Sequence, residues 1–142
     1  MVSDFLIRPG TPEDRPLVYN ATAKSMRSSP YYADVPPLEY GPLMTEWVAL
    51  RLASSRWVLL TAVVAEVPDE IAGFLLYRPG QPPALGMVYV KDPYRRRGCA
   101  RLLLTEAGFR AGCRYPAVLG SPRRFALAAE KGLHLRISPY LL

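Results

Sequence analysis

Met87-Val88-Tyr89-Val90-Lys91-Asp92-Pro93-Tyr94-Arg95-Arg96-Arg97-Gly98-Cys99-Ala100-Arg101-Leu102-Leu103-Leu104 is the stretch on which the reading of this chain turns. Apolar and β-branched residues run to Val90, as in a buried strand, and Pro93 breaks the chain into a turn. Gly98 then opens a leucine-rich segment that reads as a helix. The first amide N–H groups of such a helix have no intrahelical partner and sit at its positive end. Small residues at Gly98 and Ala100 admit phosphates close to the backbone, and Arg95, Arg96, Arg97 and Arg101 add charge-assisted, bidentate donors. Strand, turn and helix together make a cradle for a pyrophosphate. A solvated basic turn or a nucleic-acid contact would use the same arginines. A nucleic-acid face interleaves aromatics with a longer basic stripe, and Tyr94 alone is thin support for one.

Working outward, Ala84 to Val90 is the last strand of an antiparallel meander. Trp57 to Val67 and Ile71 to Tyr77 precede it, with turns at Pro68-Asp69-Glu70 and Arg78 to Pro83. Phe5 to Arg8 is a short opening strand. Thr11 then caps a helix whose first position suits Pro12 and whose positive end suits Glu13 and Asp14, running to about Arg27. Ser29 to Pro42 lacks periodicity and reads as a loop, its aromatics suited to a substrate-side lid or a packed surface. A second helix, Leu43 to Ser54, repeats apolar residues at Leu43, Trp47 and Leu50 and sometimes one position over. Beyond the arginine turn come a helix to about Ala111 ended by Gly112, a strand from Pro116 to Gly120, a helix from Pro122 to Lys131 stopped by Gly132, and a strand from His134 to Ser138. The order β-α-α-β-β-β-α-β-α-β is that of an α+β sheet with packed helices.

At 142 residues, 1–142 reads as one domain. Its longest apolar run, Trp57 to Ala65, falls short of the roughly 20 residues that span a bilayer, and no basic-then-apolar leader opens the chain. A cytoplasmic protein without membrane association is expected. Cys99 and Cys113 then stay reduced; with His134 the only histidine, no zinc site is expected. Of the eighteen cations behind the net charge of +6, three are lysines (Lys24, Lys91, Lys131), leaving fifteen arginines, and only the cluster at 95–101 is dense.

The pattern Arg95-x-x-Gly98-x-Ala100, with Val90, Pro93 and Tyr94 at fixed offsets before it, resembles the signature of the GNAT superfamily of acyl-CoA N-acyltransferases. Ile7-Arg8-Pro9 with Thr11 to Asp14, and Ile71-Ala72-Gly73-Phe74, resemble its opening strand and helix and its third strand. The resemblance implies an α+β GNAT fold: a mixed, mostly antiparallel sheet flanked by helices, here with a shortened C-terminal end. It implies acetyl-CoA as cosubstrate, no metal, and transfer of the acetyl group to an amine. Val88, Tyr89 and Val90 would line the pantetheine arm, and Arg95, Arg96, Arg97, Gly98, Cys99, Ala100 and Arg101 would wrap the pyrophosphate. More narrowly, the arginine segment and the terminal Ser138 to Leu142 resemble short GNAT-like proteins of tailed phages, which would place the protein in host cytoplasm or a virion. The partners implied are an acyl-CoA and an amine acceptor, with a homodimer or virion association open.

The sequence departs from the family where catalysis is concerned. Ala128 stands where many members carry a tyrosine general acid, and Ser121 replaces an asparagine. Tyr140 and Ser121 are the weak candidates for a catalytic role, and Glu46, Glu66 and Glu70 are candidate bases. Cys99 is expected to contribute its amide rather than a nucleophilic thiol, Cys113 to pack, and His134 to be a strand residue. An alternative is therefore a weak or inactive GNAT-fold protein that binds CoA or joins a virion.

Overall fold

Ala84–Val90, the strand that runs into the arginine turn, forms where the sequence places it and is fourth of the six described strands. The computed structural model describes residues 3–30, 32–118 and 128–137. Sheet order follows chain order: β1 (Phe5–Pro9), β2 (Val58–Val64), β3 (Val67–Arg78), β4 (Ala84–Val90), β5 (Arg114–Ala117) and β6 (His134–Ile137). The first four pair antiparallel, while β4–β5 and β5–β6 are parallel. Helices α1 (Arg15–Met26) and α2 (Pro37–Ala53) precede β2, and α3 (Cys99–Glu106) joins β4 to β5. This is the mixed, mostly antiparallel sheet flanked by helices that the resemblance implied.

Strand alternation divides the core into two layers. Leu75 of β3 faces α3, where Cys99 and Leu103, four residues apart, pack with Leu85, Phe109 and Ala117. Phe74 faces the other way, where Val18 of α1 and Met44 and Val48 of α2 close over it and Met87. Each fully buried side chain of this size contributes about 1.5–3 kcal/mol.

Several boundaries differ from the sequence reading. Helix α2 begins at Pro37, not Leu43, and keeps Pro42 inside it. Proline suits the first position, but Pro42 within the helix costs about 3 kcal/mol. Tertiary packing offsets that: Tyr40 is buried, its hydroxyl donates to the Ala23 carbonyl, and Arg27 lies 4.6 Å over its ring. The expected loop is thus half helix, and Tyr40 belongs to the core rather than to a lid. The inward stripe is Tyr40, Met44, Val48 and Arg51, one position over from the expected Leu43 and Leu50, which are exposed. The β2–β3 turn is at Ala65 and Glu66. Pro68, Asp69 and Glu70 instead lie in β3 without β2 partners, because the register moves from Val63↔Ile71 to Val64↔Val67.

Helix α3 stops five residues short of Ala111. Gly108 takes a left-handed φ of +93°, its N–H bonds the Thr105 carbonyl, and the Phe109 N–H reaches back to Leu104. Those two bonds satisfy the last carbonyls, and burying Phe109 anchors the stop. Strand β5 starts at Arg114, ahead of the expected Pro116. Cys113 in the preceding loop is exposed rather than packed. The expected strand end at Gly120, helix start at Pro122, and Ser138 fall outside the described residues.

One buried charge ties the N-terminal elements together. Asp14, 2% exposed, accepts two hydrogen bonds from the Arg8 guanidinium (2.7 and 2.9 Å), one from the Thr61 hydroxyl (2.9 Å) and one from the Thr11 N–H (2.9 Å). Burial alone would raise its pKa, but these donors outweigh it and hold the carboxyl at about 2, against 3.8 ordinarily. A depressed carboxyl pKa stabilises the fold above the unfolded value and loses that contribution as pH falls through the folded value. Wild-type stability should therefore drop by about 2 kcal/mol between roughly pH 4 and pH 2. Asp14→Asn should lose at least that much at pH 7 and flatten this part of the profile, as read by urea unfolding across the range.

Candidate functional site

The site begins where β4 meets β5. β4 and β5 are paired at Leu85↔Ala117, where the Val118 N–H donates to the Leu85 carbonyl (2.8 Å). Directly afterwards Gly86 is an extra residue on β4, since Tyr77 of β3 pairs with Leu85 and Leu76 with Met87. Such a bulge bends the strand that carries it. Glycine is required there by close approach: a Cβ would lie 2.7 Å from the Leu76 carbonyl oxygen and 2.9 Å from the Trp57 ring. Past the bulge, Met87 to Val90 have no β5 partner among the described residues.

The polarity of that edge follows from register. The Lys91 N–H bonds the Ala72 carbonyl at 2.8 Å, so Lys91, Tyr89 and Met87 are the residues whose amides face β3. The N–H and C=O of Val88 and Val90 accordingly face away from β3, where no described residue pairs with them in a ladder and a ligand with amide groups could continue it. Their side chains pack toward α3, whereas the Tyr89 ring lies on the α1–α2 face, tilted against Phe74. Tyr89 thus belongs to the opposite side of the strand from its two neighbours.

The turn leaves β4 through a 3₁₀ turn at Asp92–Tyr94 and enters α3 at Gly98. Arg96 (φ +63°) and Gly98 (φ +83°) both adopt the left-handed conformation. Space around Gly98 is open, so what selects glycine there is its backbone angle rather than room for a side chain. The first intrahelical bond runs from the Leu102 N–H to the Gly98 carbonyl, which leaves the amides of Cys99, Ala100 and Arg101 without intrahelical acceptors.

The four arginines are not equivalent. Arg95 donates from Nε to the Val90 carbonyl (2.8 Å), pairs with Asp92 and lies 5.6 Å from the Tyr89 ring. Arg97 turns to β1, pairing with Asp4 at 3.1 Å across the Phe5 and Tyr94 rings. Arg96 and Arg101 are exposed and form no ion pair among the described residues.

The Cys99 thiol is buried, which pushes its pKa up to about 11, so thiolate chemistry at the helix start is disfavoured. His134 is an exposed residue of β6. Glu46 is exposed on α2, Glu66 lies in the β2–β3 turn, and Glu70 faces Lys91 at 3.7 Å; these three carboxylates do not converge on one point. Ala128 sits at the end of the last helix, where the Leu133 N–H reaches back to its carbonyl. Tyr140 and Ser121 fall outside the described residues. No group of three or more metal-ligating side chains assembles among the described residues, and no helix there is long and apolar enough to cross a membrane. The bulge was legible only as a glycine inside a strand pattern, and the orientation of Tyr89 only as strand alternation.

The chain matches the acetyltransferase (GNAT) family model over residues 21–119, and it belongs to that family. It shares its fold with YycN of Bacillus subtilis, provisionally named an acetyltransferase, at 17% identity over 93% of this chain and 80% of that one (TM-score 0.58). A Pyrococcus furiosus protein, provisionally named an acetyl transferase, has 16% identity over 94% and 83% (TM-score 0.56). The PaiA N-acetyltransferase of Thermoplasma acidophilum, solved with coenzyme A, has 20% identity over 72% and 69% (TM-score 0.47). Against one further GNAT-family structure the chain spans 62% of that chain's length. No curated protein matches.

The turn's backbone makes opposite demands at two positions. Gly98→Ala should destabilise the fold by about 1 kcal/mol, because a Cβ is strained at φ +83°. Arg96→Gly should stabilise it by about 0.5–1 kcal/mol by relieving the same strain. Urea unfolding of the two variants beside wild type checks both signs.

Proposed function

We propose, with membership of the GNAT family as the premise, that this chain transfers an acetyl group from acetyl-CoA to an amine. The observation that supports it best is the outer side of β4 past Gly86, without a ladder partner among the described residues, running directly into a turn whose helix-start amides have no intrahelical acceptors. The outward Val90 N–H and Val88 C=O would pair with the pantetheine amides, and the amides of Cys99, Ala100 and Arg101 would hold the pyrophosphate. Arg96 and Arg101 would supply charge to the phosphates, being the two arginines not committed to carboxylates of the chain itself.

With the cosubstrate so placed, the reaction is direct attack by the neutral amine on the thioester carbonyl. The Val88 N–H, the outward donor farther from the pyrophosphate turn, would stabilise the developing oxyanion. Positioning supplies much of the rate in such a scheme. A base removes the amine's proton, and an acid returns one to the departing thiolate. The methyl group of Ala128 cannot be that acid. The Tyr89 hydroxyl, on the strand that would carry the thioester, joins Tyr140 and Ser121 as a candidate.

Acetyl-CoA at about 100 times its Kd should stabilise the native state by about 2.7 kcal/mol, a rise of roughly 10 °C in Tm for a chain of this size. The double variant Arg96→Gly/Arg101→Ala should lose most of that rise, whereas Arg97→Ala should keep it. Absence of a shift in wild type at millimolar acetyl-CoA overturns the cofactor assignment. Thiol release with a panel of amines then tests turnover. A shift without thiol release would leave a protein that binds CoA and does not transfer.

A further inference from the structure

A second polar concavity lies away from the β4 edge. It is a pocket of about 180 Å³ bounded by the chain leaving β1, the start of α1, the C-terminal end of α2 and the start of β2. Its walls include Arg15, Arg51 and Trp57, and its apolar part is Leu52, Leu59 and Leu76. In sheet register its floor is the row Leu59–Leu76–Met87, three strand positions before the end of β4. At about 3.3 Å per residue, that is roughly 10 Å along the strand from the point where the arginine turn begins.

Three features of this pocket point to a bound anion. Arg51 is only 5% exposed, its guanidinium held 4.0 Å from the Trp47 ring centre and 5.2 Å from that of Trp57, with one N–H given to the Trp47 carbonyl. Arg15, also in the lining, is exposed and has no ion pair among the described residues. Independently of both, the Trp57 indole is 6% exposed and its Nε1–H has no acceptor among the described residues. A buried donor left without an acceptor is costly, and indole nitrogens in protein interiors normally find one.

We infer that this pocket binds a small carboxylate with a short apolar tail, its head toward Arg15, Arg51 and Trp57 and its tail against Leu52, Leu59 and Leu76. Guanidinium groups suit a planar carboxylate, and the volume admits a ligand of a few carbons rather than a nucleotide. The leucines favour a head with a tail over a free inorganic anion. The site is separate from the proposed acetyl-CoA site and does not rest on that reading.

The chain has two tryptophans, both against Arg51, so the indole N–H resonances report on this pocket directly. Isovalerate titrated into ¹⁵N-labelled protein should move the Trp57 indole cross-peak downfield and saturate with a Kd of about 1 mM or tighter. Trp57→Phe assigns the peak. The neutral isostere isovaleramide should leave it in place, and inorganic phosphate should move it at least 5-fold more weakly than isovalerate. Arg15→Gln, a change at an exposed position that the fold tolerates, should weaken isovalerate at least 5-fold. A Trp57 peak that stays unmoved at about 50 mM isovalerate overturns the proposal, as does one that responds equally to the amide or equally in Arg15→Gln. If phosphate binds as well as isovalerate, the site is a general anion site and the tail assignment fails.

Discussion

Strand β4 is held from both faces, and past Gly86 its side away from β3 has no ladder partner among the described residues. A sheet normally hides such edges, because unpaired N–H and C=O groups invite other strands. Leu85 accepts from the Val118 N–H, Gly86 adds a residue, and the backbone groups of Val88 and Val90 face away from β3. Rigidity comes from the two core layers, since Met87 is covered from the α1–α2 side and Val88 and Val90 from the α3 side. The Trp57 ring over Gly86 belongs to the same device, filling the volume that a side chain there would need. Backbone, bulge and covering helices therefore act as one part, and whatever binds along the edge meets a fixed template.

Much of this was legible in the sequence, in proportion to how local the governing physics is. The strand from Ala84 to Val90, the Pro93 turn and the helix opening at Gly98 rest on propensities and capping within a few residues, and they fell where expected. The start of α2 did not, because Pro42 inside a helix is tolerated only once Tyr40 has docked on Ala23 and Arg27, contacts made with a different helix. The stop of α3 was misplaced between two glycines, and burial of Phe109 chose Gly108 over Gly112. At the site, the cluster of arginines could be read from the sequence but their division could not. Asp92 lies three residues from Arg95, whereas Asp4 comes from the other end of the chain to meet Arg97. The Trp47–Arg51–Trp57 stack was likewise invisible, since only the fold brings the end of α2 against the start of β2.

The arginine turn also shows why stability and ligand binding need not favour the same residue. Arg96 holds a backbone angle that glycine would hold at lower cost, and its side chain makes no ion pair among the described residues to compensate. Arg97, by contrast, is tied into the fold through Asp4 and two aromatic rings. A residue that costs the fold something and contributes nothing visible to it is the kind of position where strain is kept for another purpose.

The Asp14 cluster carries a further implication, for how the sheet selects its pairing. Arg8 and Thr11 are close to Asp14 in sequence, so those bonds can form early, but Thr61 arrives on β2 from 47 residues away. Arg8 stands opposite Thr61 across β1 and β2, and both reach the carboxylate on the α1–α2 side. If β1 slipped by one residue against β2, alternation would send that hydroxyl or that guanidinium to the far side of the sheet. The carboxylate would then be enclosed with a donor missing, at a cost comparable to a large fraction of a domain's net stability. A single buried charge thus works as a proofreading element for strand alignment, penalising near-miss pairings that the apolar residues of β1 and β2 alone would discriminate less sharply.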